Sequence, residues 1–366
     1  MKKRKHGSDL RGASKIAVEA TTRVTNIVQE MHGNIGGFPA KLLSAPVYAT
    51  IRGIAKLVGI SLDVALDKLG PMLGESVPSA ERDAVVAALN GVVGDWLHET
   101  KNPLAVEMRL RHEGDPRKKL VILVHGSSMN DRQWCREEAR ASGAPRYHDH
   151  GVALARDLEA TAVYVHYNSG RRVEESGREL AALLEDLVSK WPVPIESITL
   201  VGHSMGGLVA RSACVHGGAW LEKVDAIVTL GTPHHGAPLE RIGHIVQQLG
   251  GFTKYSAPIA KLGNVRSAGV RDLRHGFKAP LPEGVRCFAM AGGKDGLVPR
   301  KSAFGDFPKT NVAVAEGIGH LELLDAGVYP QILAWLVRLT ELREAPDRPS
   351  EARSASPRRA PKKSAT

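Results

Sequence analysis

The chain has 366 residues, 43% hydrophobic and only 5% aromatic, and a formal charge of +10. That length and apolar content allow one large core plus an appendage, built mainly from Val, Leu, Ile and Ala. Eight of the ten net charges lie in two tails, residues 1–5 and 347–366, so the body is near neutral, which argues against a nucleic-acid-binding face. The tails read as solvated and disordered, with weak attraction to anionic membrane surfaces as the sharper alternative. Cys135, Cys214 and Cys287 match no metal-ligand spacing and fit a reduced compartment. Residues 7–20 include Ser8, Asp9, Arg11, Lys15 and Glu19, so no secretory leader is expected. No run of 18 apolar residues suggests a membrane span, and a cytoplasmic protein is the default expectation.

In chain order, residues 1–20 are expected to be a disordered basic tail. Residues 21–104 read as a helical N-terminal region, with helices at 24–31, 40–57, 61–69 and 79–97 broken by Gly and Pro. The 40–57 stretch is amphipathic and suits packing on its own domain or lying on a membrane. From about residue 105 the rhythm changes to strands alternating with helices. Strands are predicted at 106–111, 120–124, 162–167, 198–201, 226–230, 285–289 and 312–315. Helices are predicted at 152–158, 173–190 and 329–339, with another following residue 204. Strands spaced by helices specify a doubly wound, mostly parallel α/β sheet over residues 105–340. Residues 235–280 interrupt the rhythm and read as a cap-like insertion; 341–366 read as a second basic tail.

The most telling stretch is Gly202-His203-Ser204-Met205-Gly206, between an apolar strand and a helix. In that context Gly-x-Ser-x-Gly is a nucleophile elbow, a strained turn that lifts the serine hydroxyl clear of the sheet. An ordinary Gly-rich strand-to-helix turn is the plain alternative. A serine needs a base, and the base an orienting acid. Asp295 lies in the loop after the strand at 285–289, and His320 in the Gly-flanked loop after the strand at 312–315. The order serine, acid, histidine along the chain is the one this architecture uses. Each also has an ordinary reading: Asp-Gly is common in turns, and a histidine can cap a helix. Acyl transfer needs two oxyanion donors. The backbone N–H of Met205 is one, and that of Ser127, after His125-Gly126, is the other, with Ser128 as the neighbouring alternative. His125, Gly126 and His203 are placed in the substrate-binding part of the site, with the two histidines as positioning groups rather than bases. Asp225 and Asp272 are acidic alternatives with poorer placement. His148-Asp149-His150 reads as a loop, and with the adjacent His234 and His235 it is the nearest approach to a metal-binding pattern. No metal or other cofactor is implied.

On these residues the chain resembles the α/β-hydrolase lipases and esterases, and within them the bacterial group similar to GPI inositol-deacylase and triacylglycerol lipases. The carriers are His125-Gly126, residues 202–207, Gly231-Thr232-Pro233-His234-His235-Gly236-Ala237-Pro238, Asp295-Gly296-Leu297-Val298-Pro299 and His320-Leu321. The resemblance spans about 105–340. It implies an α/β-hydrolase fold, Ser204 as nucleophile, Asp295 as acid and His320 as base, acting on an acyl-ester small molecule or lipid. The resemblance includes secreted lipases, which have signal peptides and in some cases a structural calcium near the histidine loop; here no signal is read, and Glu322 and Asp325 read as a helix start. Residues 235–280 and the loop at Asn168-Ser169-Gly170 are expected to shape the acyl pocket. An acyltransferase on the same scaffold, and a non-catalytic module binding a membrane or partner, remain open; so does the oligomeric state.

Overall fold

Short continuous runs of Val, Ile, Leu and Ala can only be buried on both faces if helices cover the sheet on either side. The computed structural model, which describes residues 80–138, 146–238 and 267–344, has that layering. Its strands are β1 (Arg109–Glu113), β2 (Lys119–Val124), β3 (Cys135–Glu138), β4 (Arg146–Asp149), β5 (Ala160–His166), β6 (Ser197–His203), β7 (Val224–Leu230), β8 (Arg286–Gly292) and β9 (Val312–Ala315). Seven of them form one sheet in the order β1-β5-β2-β6-β7-β8-β9. β1 runs antiparallel to β5, and the remaining pairs in this sheet are parallel. β5 is buried along its whole length, whereas β1 is a partly exposed, charged edge of sequence Arg-Leu-Arg-His-Glu, a composition that discourages edge-to-edge pairing.

The helices are α1 (Ala80–Glu99), α2 (His150–Asp157), α3 (Val173–Lys190), α4 (Met205–His216), α5 (Ala268–His275), α6 (Arg300–Phe304) and α7 (Tyr329–Glu344). Ten consecutive residues of α4, Met205 to Cys214, are buried, as expected of a helix apolar all round. α3 packs on it at a point where a Cβ on Gly177 would lie 2.2 Å from Ser212 Oγ and 2.4 Å from Ser212 Cβ. Gly177→Ala is therefore expected to destabilise the fold by about 1–3 kcal/mol through overpacking. A urea midpoint equal to wild type would contradict this account of the α3–α4 contact.

Three expectations need correction. Residues 148–150 are not a loop: β3 and β4 pair antiparallel as a separate two-stranded ribbon, and His150 begins α2. Asp149 explains the switch, since its Oδ1 accepts from the amides of Gly151 (2.7 Å) and Val152 (3.1 Å) and so caps the helix. The first strand starts at Arg109 rather than at residue 106. Helix 79–97 is found as α1, but it is kinked at Val93, where φ is −132° and ψ 21°. The tails, the Ser79 cap, the helices at 24–31, 40–57 and 61–69, and residues 239–266 of the insertion lie outside the described residues. Among the described residues no helix is long and apolar enough to cross a membrane.

Candidate active site

β6 ends in a turn that only a tightly packed backbone can make. Ser204 has φ 51° and ψ −123°, a left-handed conformation that L-residues avoid unless their surroundings hold them there. The surroundings do: the Ser204 N–H donates to Leu230 O at 2.8 Å at the end of β7. A Cβ at Gly202 would lie 2.5 Å from Gly207 Cα, and one at Gly206 would lie 2.0 Å from Val124 O. The two glycines of the motif are thus demanded by the approach of α4 and of β2.

β8 ends in the loop carrying Asp295, and β9 in the loop carrying His320. His320 Nδ1–H donates to Asp295 Oδ2 at 2.7 Å, with the two side chains only 2% and 1% exposed. The other carboxylate oxygen, Oδ1, accepts from the amides of Leu297 (2.8 Å) and Val298 (2.9 Å). Burial opposes the Asp295 charge; the hydrogen bond and charge of His320 and the two amides overcome it and hold the carboxyl below its ordinary range. The carboxylate is thus fixed from one side by the backbone and from the other by the imidazole.

His320 is brought to the serine by shared neighbours. Gly231, next to the Leu230 carbonyl that anchors Ser204, lies against the His320 ring, so that a Cβ there would be 3.0 Å from Nδ1. The rings of His203 and His320 are 4.9 Å apart. Ser204 Oγ and His320 Nε2 are both buried, and neither has a hydrogen-bond partner among the described residues. The serine–histidine hydrogen bond is therefore open in this structure. Such bonds commonly tighten only with substrate bound.

The loop after β2 lies against the same serine: a Cβ on Gly126 would be 3.1 Å from Ser204 Cβ and 3.0 Å from His203 Nδ1. Of the two amides expected as oxyanion donors, one has a partner in this structure. The Ser128 N–H donates to Ser169 Oγ at 2.8 Å, so it is already engaged. His125 and His203, expected in the substrate-binding part as positioning groups, both lie behind the serine. His125 is wholly buried, its Nδ1–H donates to Gly126 O (2.8 Å), and it stacks on Tyr167 at 4.4 Å. His203 Nε2–H donates to His320 O at 3.0 Å. Burial, above all, pushes each of them down to about 3, so both are neutral braces behind the site.

Other predicted groups have structural partners. Asp225 pairs with Arg286 (3.1 Å). Asp272 Oδ2 accepts from the Val173 amide (3.0 Å) and so caps α3 from outside the helix. Asp325 accepts from Arg136 Nε (3.2 Å), and Glu322 opens a short 3-10 turn. His148 and His150 are bonded to each other at 2.8 Å. His235 lies 3.2 Å from Asp306. Among the described residues no group of three or more His, Cys, Asp or Glu could hold a metal ion.

Sequence reasoning missed two supports. Arg211 on α4 is buried and donates to His234 Nδ1 (2.9 Å), to Phe277 O (3.3 Å) and to Ala279 O. It clasps the Gly231–Pro238 motif to the helix behind the serine. The only signal was an arginine in an otherwise apolar helix. Asp131, at the far end of the loop after β2, accepts from His166 Nδ1 (2.8 Å) and Arg111 Nε (2.7 Å). Burial opposes its charge, but these two hydrogen bonds prevail and keep its pKa below the carboxylate range. Asp131→Ala is expected to destabilise the fold by about 1–3 kcal/mol at neutral pH, chiefly by leaving the buried His166 donor unpaired, since the part-exposed Arg111 keeps Glu113. A depressed pKa contributes stability above the unfolded value near 4, lost as pH falls through the lower folded value. The variant's acid unfolding curve should accordingly be shallower than wild type; parallel curves would contradict the pairing.

A mostly parallel central sheet with one antiparallel edge, helices packed against it, Ser204 between β6 and a buried helix, and Asp295 and His320 after the last two strands make up an α/β-hydrolase-type fold. Residues 115–283, just under half of the chain, match the model of the PGAP1-like alpha/beta domain. Solved structures are similar in outline. Lipase BlEst2 of Bacillus licheniformis in mature form is 18% identical, with 62% of this chain and 98% of that chain covered and a TM-score of 0.46. A carboxylesterase structure from the thaumarchaeon Nitrososphaera gargenis is 18% identical, covering 64% and 95%, with a TM-score of 0.45. The monoacylglycerol lipase of Paleococcus ferrophilus is 17% identical, covering 64% and 100%, with a TM-score of 0.41. No curated protein sequence matches the chain.

Proposed function

We propose that this protein is a serine carboxylic-ester hydrolase. The observation that carries the reading is the buried Asp295–His320 pair at 2.7 Å near a strained serine whose hydroxyl has no hydrogen-bond partner among the described residues. Ser204 Oγ attacks the acyl carbonyl while His320 Nε2 takes its proton. The amides of Met205, at the start of α4, and of Ser127 receive the oxyanion. His320 returns the proton to the leaving alcohol, and water, activated by the same imidazole, releases the acid from the acyl-enzyme. The catalytic unit is residues 105–340, preceded by helix α1. The substrate class is an acyl-ester small molecule or lipid. The three cysteines are all free thiols, which supports a reducing, cytoplasmic setting.

The test is hydrolysis of p-nitrophenyl esters from acetate to palmitate, with a fluorophosphonate probe mapped by peptide mass. Turnover with the probe on Ser204 supports the reading, and the chain-length optimum separates a short-chain esterase from a lipase-like enzyme. A folded protein with neither turnover nor label counts against it. New ester in place of free acid when alcohols are added would assign an acyltransferase instead.

A further inference from the structure

Helix α1 precedes the sheet and supplies none of the groups above, yet its backbone lies on the oxyanion loop. A Cβ on Gly91 would be 1.9 Å from Ser128 Oγ, 2.7 Å from Ser128 Cβ and 2.8 Å from Ser128 Cα. A Cβ on Gly94 would be 1.9 Å from Asn168 Oδ1, and in return one on Gly170 would be 2.1 Å from Asn90 O. Glycine is the poorest helix former short of proline, and α1 carries two, at the points of contact on either side of its kink at Val93. Carbonyls there are used outward. Gly91 O accepts from Ser267 Oγ (2.7 Å) and Gly94 O from Asn168 Nδ2 (2.8 Å).

What they press on is the residue that follows the proposed donor. Ser128 has φ 61°, and its N–H is held by Ser169 Oγ at 2.8 Å. Ser169 belongs to the same 168–170 loop that Gly94 and Asn90 contact. Ser127 and Ser128 are buried, and their hydroxyls have no partner among the described residues. No hydroxyl bond therefore holds these two residues; the 127–128 peptide, which follows the one carrying the Ser127 N–H, is held at its Ser128 end by Ser169 and by the helix above it.

We infer that α1 is a positioning element for the oxyanion hole, with Gly91 seating Ser128 so that the Ser127 amide points at the developing oxyanion. The inference rests on the reading of Ser204 and Ser127 proposed above. It turns the N-terminal helix from an appendage into a wall of the site, and it separates effects on the transition state from effects on substrate binding.

The experiment uses the full chain and a p-nitrophenyl ester, comparing wild type, Gly91→Ala, Ser128→Gly and the double variant, each checked by circular dichroism. Gly91→Ala is expected to lower kcat by about 100-fold, the scale of a misplaced catalytic group, while KM changes less than threefold. Removing the Ser128 side chain takes away its two closest clashing atoms, so the double variant should recover most of the loss relative to Ser128→Gly alone. Wild-type kcat in a folded Gly91→Ala protein overturns the inference, as does a loss that appears in KM or that Ser128→Gly fails to relieve. If wild type itself shows neither turnover nor labelling at Ser204, the nucleophile reading fails and takes this inference with it. An active, labelled wild type with an unaffected Gly91→Ala variant would overturn this inference alone.

Discussion

Ser204→Ala is expected to lower ester turnover by about 10,000-fold or more while the protein stays folded. The residue sits at φ 51°, which alanine finds as unfavourable as serine does, so backbone strain is nearly unchanged. The hydroxyl is buried and bonded to nothing among the described residues, so its loss orphans no partner. Deleting an unsatisfied buried polar group tends to be neutral or stabilising. The expected result is therefore loss of kcat with a melting temperature equal to or slightly above wild type. Retained turnover in this variant would remove Ser204 from the mechanism; a large fall in melting temperature would show that the hydroxyl has a structural partner.

Asp295→Asn is expected to lower kcat by about 10,000-fold through the wrong imidazole tautomer. One oxygen of Asp295 faces the amides of Leu297 and Val298, and the other faces His320 Nδ1. An asparagine must keep its carbonyl oxygen toward the two amide donors, which leaves its NH2 pointing at Nδ1. Nδ1 then has to accept, the ring proton moves to Nε2, and Nε2 can no longer take the proton of Ser204. Recovery of the rate at high pH is not expected, because the defect is one of tautomer and not of charge. The check is a pH–rate profile of variant and wild type, with folding verified in parallel. A variant within tenfold of wild type would place the orienting acid elsewhere. Asp225 and Asp272 are poor substitutes, being bound to Arg286 and to the α3 amide.

Much of this architecture was legible in the chain because its signals are local. The apolar runs that became β2, β5, β6, β7 and β8 needed no partner to be recognised; continuous Val, Ile and Leu bounded by turn residues suffice. α3 was bounded at the residues where it occurs because the 3.6-residue period runs between Gly170 and Pro192, and β9 because a short apolar Val-Ala run stops before Gly317. The β3–β4 ribbon was missed because four-residue strands rich in charge carry no periodic signal. His148-Asp149-His150 looked like a loop because Asp149 is a helix cap, which reads the same way in one dimension.

The sequence by itself determined the alternation that makes a parallel sheet, the strained elbow at Ser204, and the chain order of Asp295 and His320. Each of these is read from a local pattern, or from the order of local patterns along the chain, without knowledge of which groups meet. Tertiary structure alone decided which groups meet: the Ser128 amide engaged by Ser169, Arg211 clasping His234, Asp131 held by Arg111 and His166, and α1 laid on the loop after β2. Those contacts join segments far apart in sequence. Their formation depends on how loops stack once the sheet has twisted and the helices have packed, and no local period or turn preference encodes it.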